Sequence, residues 1–272
     1  MKKSQIENLG KEILSIEAMD VILQKNECTF SFVAGSLVEG FGNEKSDIDI
    51  FVVCQTLPQE ESIESFRKLY PNSNVFYNPE KVTLTFEFKN IDFDIEFHLI
   101  SVLNKAISKN NIGELRITDS YFDVLHRFKW SEPILKEQNY LKVKKSINYD
   151  LFAESYIRFL SIAYSIKTTD IMGAYRAKNF QSAFFMAWFL LESCMDAYLS
   201  MYGETNPNNK WRVNKIKRVE AQPNYNGLIL SEVLRSSFLN LDLNDDATLE
   251  IRIKEILKQC QSINHSIQKG RG

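Results

Sequence analysis

Residues 34–53 read Ala-Gly-Ser-Leu-Val-Glu-Gly-Phe-Gly-Asn-Glu-Lys-Ser-Asp-Ile-Asp-Ile-Phe-Val-Val. This stretch joins the end of one apolar strand to the start of another through a loop that carries three of the chain's ten glycines. Asp47 and Asp49 open the second strand, and side chains two residues apart on a strand leave the same face. We therefore expect both carboxylates on one side of a sheet, directly after a loop whose backbone bends easily.

The residues around the two aspartates, Ile48 and 50–53, are apolar, which is typical of an interior strand. Two carboxylates on one face of such a strand repel each other and lose hydration unless a cation lies between them. This cost disfavours the alternative, a glycine-rich hairpin with surface aspartates. Mg²⁺ takes oxygen ligands and commonly bridges carboxylates to substrate phosphates. Because Gly35-Ser36 adds backbone N–H groups and a hydroxyl, the pattern predicts a site for a triphosphate and its metal ions.

The rest of the first half predicts an α+β or α/β layer. A capping-box pattern at Ser4 and Glu7, followed by a helical period of apolar residues, indicates one helix over residues 4–25. Alternation of apolar and polar residues indicates two strands around a hairpin turn at 89–92. A further helix is expected to end at about Tyr70. The predicted strands are 29–34, 47–53, 82–88 and 93–100.

After about residue 101 the apolar period becomes helical. Pro133 and the basic run Lys142–Lys145 mark a junction, and we divide the chain into domains at residues 1–130 and 131–272. The second of these is expected to be an all-α helical bundle. Its predicted helices lie near 146–168, 172–202, 210–220, 227–240 and 246–268.

The bulk properties narrow the class of protein. The 272 residues carry a net charge of −2 and a pI near 6.0, which argues against a protein that grips long nucleic acid through a basic surface. We see no signal-peptide pattern and no apolar stretch long enough to cross a membrane. The four cysteines are far apart and have no metal-binding spacing. We expect a cytoplasmic monomer or homodimer with no membrane partner.

The spacing of Gly35-Ser36, ten intervening residues and Asp47-Ile48-Asp49 resembles the signature of the DNA polymerase β-like nucleotidyltransferase superfamily. That family adds a third carboxylate on a later strand, and here Asp94 and Glu96 are the candidates. We favour Asp94 and keep Glu96 as the alternative. The resemblance implies a mixed sheet, with Asp47, Asp49 and Asp94 as ligands of two Mg²⁺ ions. It also implies that Asp94 or Glu96 takes the proton of an acceptor hydroxyl.

Contacts to the nucleotide also follow from the resemblance. Gly35 and Ser36 would bind the phosphates of ATP or another nucleoside triphosphate. Ser46 is a further candidate for nucleotide binding, with capping of the loop as its alternative role. The run Pro207-x-x-Lys210-Trp211 resembles the C-terminal helical domain of bacterial aminoglycoside and lincosamide nucleotidyltransferases. It implies that Lys210, or else Arg212, reaches the triphosphate, the alternative being an exposed basic start of a helix.

The resemblance implies a Mg²⁺-dependent nucleotidyltransferase of the EC 2.7.7 type. Such an enzyme would transfer a nucleoside monophosphate, AMP from ATP as first choice, to a hydroxyl of a small molecule and release pyrophosphate. An antibiotic-like sugar is the expected acceptor, which would make the protein an antibiotic-resistance enzyme. One alternative is a toxin-type or signalling enzyme that modifies tRNA, protein or nucleotides. Another is an inactive nucleotide-binding or antitoxin-like protein.

Overall fold

The structure, a computed structural model, describes residues 2–239 and 241–270. The chain forms two compact units. The first consists of the residues up to Glu114 together with Asp119–Asn148, and the second consists of Leu115–Thr118 and the residues from Tyr149 onward. None of the helices in the described ranges is both long and apolar enough to span a bilayer.

The first unit contains a mixed sheet of six strands in the order β3-β4-β5-β2-β1-β6. Strands β2 and β5 run parallel, and the other neighbouring pairs of this sheet are antiparallel. The strands are β1 Cys28–Ala34, β2 Ile48–Cys54, β3 Asn74–Asn78, β4 Lys81–Phe88, β5 Ile91–Leu99 and β6 Glu132–Leu135. The helices are α1 Lys3–Leu14, α2 Glu17–Lys25, α3 Gly35–Glu39, α4 Glu60–Leu69, α5 Ile100–Asn111, α6 Phe122–Trp130 and α7 Glu137–Ser146.

The two faces of the sheet have different chemistry. On one face, apolar side chains of β2 and β5 pack with α1, α2 and α4 into a single hydrophobic core. On the other face, Phe32 of β1 stacks on Phe51 of β2 at a centroid distance of 5.0 Å, and Phe128 of α6 packs on Phe32 at 4.5 Å. The acidic residues of β2 and β5 belong to this second face, because they alternate with the core residues of the first.

The second unit is all-α, as predicted. Its helices are α8 Tyr149–Arg176, α9 Phe180–Ser200, α10 Arg212–Glu220, α11 Leu230–Phe238 and α12 Asp246–Lys269, with a short 3-10 turn at Asn209–Trp211. The long helices α8, α9 and α12 supply most of its buried apolar side chains. Together with the first unit, this confirms the predicted fold class, an α+β part with a mixed sheet followed by a helical region.

Several predicted boundaries were wrong. The helix expected over 4–25 is two helices, α1 and α2, because Ile16 adopts an extended backbone; beside it, Ser15 Oγ donates to the carbonyl of Glu12 at 2.8 Å. Serine hydroxyls compete in this way for helical carbonyls. The apolar period continues across the break because both helices pack on one core. The break expected near residue 170 lies instead at 177–179, where Lys178 has a φ of +58°.

Two strands were missed, and both lie at an edge of the sheet. Four of the five residues of β3 are exposed, so its sequence shows no apolar alternation. Strand β6 contains Pro133, which was interpreted as a junction; proline is tolerated on edge strands because it has no N–H to donate. The Gly35-Ser36 turn is the start of the short helix α3.

Candidate active site

Three aspartates meet where the parallel strands β2 and β5 begin. Asp49 and Asp94 are direct partners in the register of the two strands, and Asp47 precedes β2 by one residue. One carboxylate oxygen from each of the three lies within 4.8 Å of the other two. Oxygen ligands lie about 2.0–2.6 Å from Mg²⁺ or Ca²⁺, so ligands on opposite sides of one ion are about 4–5 Å apart. The donor set and its spacing therefore fit a hard divalent cation.

Gly35 is the residue that allows Asp49 to lie where it does. A Cβ atom at position 35 would be 1.7 Å from Asp49 Oδ2, well inside atomic contact. Gly35 also has a φ of +84°, a left-handed conformation that side chains disfavour. The first turn of α3 therefore touches the carboxylate of Asp49 directly, which brings the Gly-Ser pair and the aspartates into one site.

The two serines occupy different places. Ser36 is buried, and its carbonyl accepts the N–H groups of Phe41 and Gly42 at 2.8 Å each, which closes the glycine loop. Ser46 Oγ accepts the N–H of Asn43 at 2.9 Å, so this hydroxyl caps the loop. Ser46 also lines a cavity of about 470 Å³ beside the start of β2. Its other lining residues are Leu37, Asn43, Glu44, Lys45, Asn90, Ile91 and Asp92.

Burial and the crowding of the acids raise the pKa values of Asp49 and Asp94. Burial raises the pKa of Asp49 to about 7; the charge of Arg127 opposes this rise, and those of Asp47 and Asp94 add to it. Burial, followed by the charge of Asp47, raises the pKa of Asp94 to about 6. Without a cation, the cluster thus holds protons at pH values where an exposed aspartate is ionised. Binding of a divalent cation would displace those protons.

Glu96, the other candidate for the third carboxylate, has different neighbours. Its Oε2 atom accepts Lys81 Nζ at 3.1 Å and lies 2.9 Å from His98 Nε2. Burial alone would raise the pKa of Glu96, but the hydrogen bonds and charges of His98 and Lys81 outweigh it and lower the pKa to about 2. Asp94 belongs to the group that can share a metal ion, whereas Glu96 is held by a lysine and a histidine.

Some residues of the site could not be seen in the sequence. Arg127 on α6 lies over the ring of Phe51, with its guanidinium carbon 5.9 Å from the centroid. Glu39 is buried, and its Oε1 atom lies 3.1 Å from Nε2 of the buried His126. One contact joins β2 to α6 and the other joins α3 to α6, and in each the two residues are more than 75 positions apart in the sequence. No local pattern signals such a pairing.

Lys210 belongs to the second unit. Its side chain is exposed, with Nζ 5.1 Å from the ring centroid of Trp211. Its backbone N–H donates to Asn208 Oδ1 at 3.0 Å, which forms the start of the 3-10 turn. Contact of Lys210 with a triphosphate stays a prediction.

No protein-family model matches this chain, and no curated protein matches it either. Among solved structures, the chain is similar to a nucleotidyltransferase-like protein from Exiguobacterium sibiricum 255-15. The TM-score is 0.47 at 11% sequence identity, and the match covers 97% of this chain and 78% of that chain.

Proposed function

We propose that the protein is a Mg²⁺-dependent nucleotidyltransferase that transfers a nucleoside monophosphate to a hydroxyl acceptor. One observation carries the proposal: Asp47, Asp49 and Asp94 converge within reach of a single ion while Gly35 packs against Asp49. If the three acids were close by chance, there would be no reason for a glycine of positive φ to lie where any side chain would displace Asp49. The spacing of the Gly-Ser pair and the two aspartates also resembles the polymerase β-like signature.

The chain's own groups have distinct roles in this reaction. Asp47, Asp49 and Asp94 would hold Mg²⁺, which supplies charge neutralisation of the phosphates and a template for in-line displacement. The Ser36 hydroxyl and the start of α3 would bind phosphate oxygens, and the cavity beside Ser46 would accommodate part of the nucleotide. Two Mg²⁺ ions are part of the proposal.

The reaction needs no reactant other than the triphosphate and the acceptor. The acceptor oxygen forms a bond to the α-phosphorus, the bond from the α-phosphorus to the bridging oxygen breaks, and pyrophosphate leaves. The acceptor proton passes to a carboxylate of β5, and we assign this role to Asp94, which is next to the metal group. We propose AMP from ATP as the transferred group and a small molecule such as an antibiotic-like sugar as the acceptor.

Release of pyrophosphate is the direct test. The purified protein is incubated with Mg²⁺, each of the four nucleoside triphosphates in turn, and a panel of hydroxylated small molecules that includes aminoglycosides and lincosamides. We expect release with one triphosphate and one acceptor class, and its loss in Asp49→Asn. The matched control is Asp20→Asn, an exposed aspartate on α2, across the sheet from the site. Release that persists unchanged in Asp49→Asn would refute the proposal.

A further inference from the structure

Arg127 lies on the same face of the sheet as the three aspartates. It is carried by α6, and its guanidinium carbon is 5.9 Å from the ring centroid of Phe51. Phe51 follows Asp49 by two residues on β2, so the two side chains leave the strand on the same side. Only 18% of the Arg127 side chain is exposed. The arginine is thus held over the strand that carries Asp49.

The hydrogen bonding of Arg127 leaves most of its donors available. Its Nε–H donates to Asp123 Oδ2 at 3.3 Å, four residues earlier on the same helix. Within residues 2–239 and 241–270, the two terminal amino groups of Arg127 have no hydrogen-bond acceptor. A guanidinium carries five N–H donors, and four of them belong to these terminal groups. Neither terminal nitrogen is among the fully buried polar atoms that lack a partner, so both reach solvent and can be offered to a ligand.

The charges around Arg127 show where that acceptor would lie. Its guanidinium interacts electrostatically with Asp123, Asp49 and Glu39. Asp49 is the metal-site carboxylate that touches Gly35, and Glu39 ends the same short helix, α3. Arg127 therefore lies on the side of the site where the Gly-Ser pair is found. Lys81, another cation of this face, is paired with Glu96.

We propose that the terminal amino groups of Arg127 bind phosphate oxygens of the triphosphate, and this inference rests on the proposed function. The planar fork of a guanidinium matches two phosphate oxygens, which a single ammonium cannot do. Without ligands, the guanidinium compensates the charge of Asp49. When metal ions neutralise the aspartates, the same positive charge becomes available to the phosphates. The first unit then supplies its own phosphate-binding cation, in addition to whatever Lys210 contributes.

The alternative is that Arg127 is only a counter-ion of Asp49. The two roles predict different effects of removing the charge on the affinity for phosphates. A phosphate ligand, when lost, weakens the binding of phosphates. A counter-ion, when lost, leaves phosphate binding unchanged and strengthens the binding of Mg²⁺, because a positive charge beside the metal site has been removed.

Titration calorimetry on the full-length protein separates these roles. The variants are Arg127→Gln and Arg127→Lys, with Lys129→Gln as the control that removes the same charge from the same helix. The probes are Mg²⁺ alone, inorganic tripolyphosphate with Mg²⁺, and α,β-methylene-ATP with Mg²⁺. In Arg127→Gln we expect both phosphate ligands to bind about tenfold or more weakly, as for loss of a charge-assisted hydrogen bond. Arg127→Lys should bind the phosphate ligands with intermediate affinity, and Lys129→Gln should bind them as the wild type does. Mg²⁺ alone should bind to Arg127→Gln at least as tightly as to the wild type.

Two results would overturn the assignment. In the first, Arg127→Gln binds tripolyphosphate and α,β-methylene-ATP with the same affinity as the wild type and binds Mg²⁺ more tightly. Arg127 is then a counter-ion only. The other is a wild type that binds no tripolyphosphate. The pyrophosphate-release assay distinguishes this failure from that of the proposed function. If the wild type releases pyrophosphate and Arg127→Gln has the same KM for the triphosphate, Arg127 does not bind phosphate, but the proposed function is retained. Circular dichroism and the melting temperature verify that each variant is folded.

Discussion

Gly35 lies against Asp49 so closely that a Cβ atom at position 35 would be 1.7 Å from Asp49 Oδ2. This contact joins the start of α3 to the start of β2. The absence of a side chain at Gly35 leaves room for the carboxylate of Asp49, which lies beside Asp47 and Asp94. The contact also provides a specific test, because the loop contains a second glycine of similar conformation.

Gly35→Ala should weaken metal binding, whereas Gly40→Ala should not. Both glycines have positive φ, +84° and +80°, so both alanines carry a backbone cost of about 1–2 kcal/mol. A Cβ atom at Gly40 meets nothing within 4 Å, but one at Gly35 displaces Asp49. Mg²⁺ affinity, measured by calorimetry, should fall about tenfold or more only in Gly35→Ala. Equal Mg²⁺ affinity in the two variants would contradict the role of the contact.

Asp49→Asn should stabilise the metal-free protein and remove its response to Mg²⁺. Burial raises the pKa of Asp49 from its ordinary value of 3.8 to about 7, so the charged form is penalised in the folded state. Metal-free wild type therefore loses stability as pH rises from about 4 through 7, on the order of 4 kcal/mol in total. Asparagine does not titrate and avoids this loss.

Melting temperatures at pH 5 and pH 8, with EDTA and with Mg²⁺, measure the effect of Asp49→Asn. The variant should melt above the wild type at pH 8 in EDTA, and Mg²⁺ should raise the melting temperature of the wild type alone. Asp20→Asn is the control and should behave as the wild type. If Asp49→Asn melts below the wild type at pH 8 in EDTA, the charged form of Asp49 does not destabilise the metal-free protein.

Asp94→Asn and Glu96→Gln should separate the two acids of β5. Asp94 shares the metal group, so its loss should weaken Mg²⁺ binding about tenfold or more. Glu96 is paired with Lys81 and His98, and Glu96→Gln should leave the Mg²⁺ affinity within about threefold, since only a screened charge changes. Glu87→Gln, at an exposed position of β4, is the control. A stronger effect of Glu96→Gln than of Asp94→Asn would reverse the assignment.

Glu39→Ala should destabilise the first unit. Its carboxylate lies 3.1 Å from His126 Nε2, and both side chains are buried. Removing the carboxylate deletes a hydrogen bond to a buried imidazole, at a cost of about 1–3 kcal/mol. Urea unfolding should show this loss, with Glu39→Gln closer to the wild type because the amide oxygen still accepts. Glu44→Ala, at an exposed position of the same loop, should change stability by less than about 0.5 kcal/mol. Similar losses in Glu39→Ala and Glu44→Ala would show that the pair contributes little.

The predictable parts of the fold were those with a strong local pattern. Strands β1, β2, β4 and β5 were found because their apolar residues are continuous or alternate, and the helical second unit because its apolar period is long. Strand β3 was missed because an exposed edge strand has no buried face. The break at 15–16 was missed because the backbone of Ile16 turns extended while the apolar residues on either side keep their period.

The candidate site divides in the same way. Gly35, Ser36, Asp47 and Asp49 stand within one stretch, so spacing and strand alternation were enough to propose them as a group. The choice between Asp94 and Glu96 was open in the sequence, because both leave β5 on one face. The structure distinguishes their surroundings through Lys81 and His98, which come from a neighbouring strand and from further along β5.

The sequence by itself determined the elements, the fold class and the cluster of candidate residues between 34 and 53, because strand and helix periods and the conformational freedom of glycine are local properties. Only the tertiary structure decided that Gly35 touches Asp49, that Asp94 rather than Glu96 clusters with Asp47 and Asp49, and that Arg127 and the Glu39–His126 pair belong to the same face. These contacts depend on strand register and on the packing of α6 over the sheet, and both arise from residues far apart in the chain.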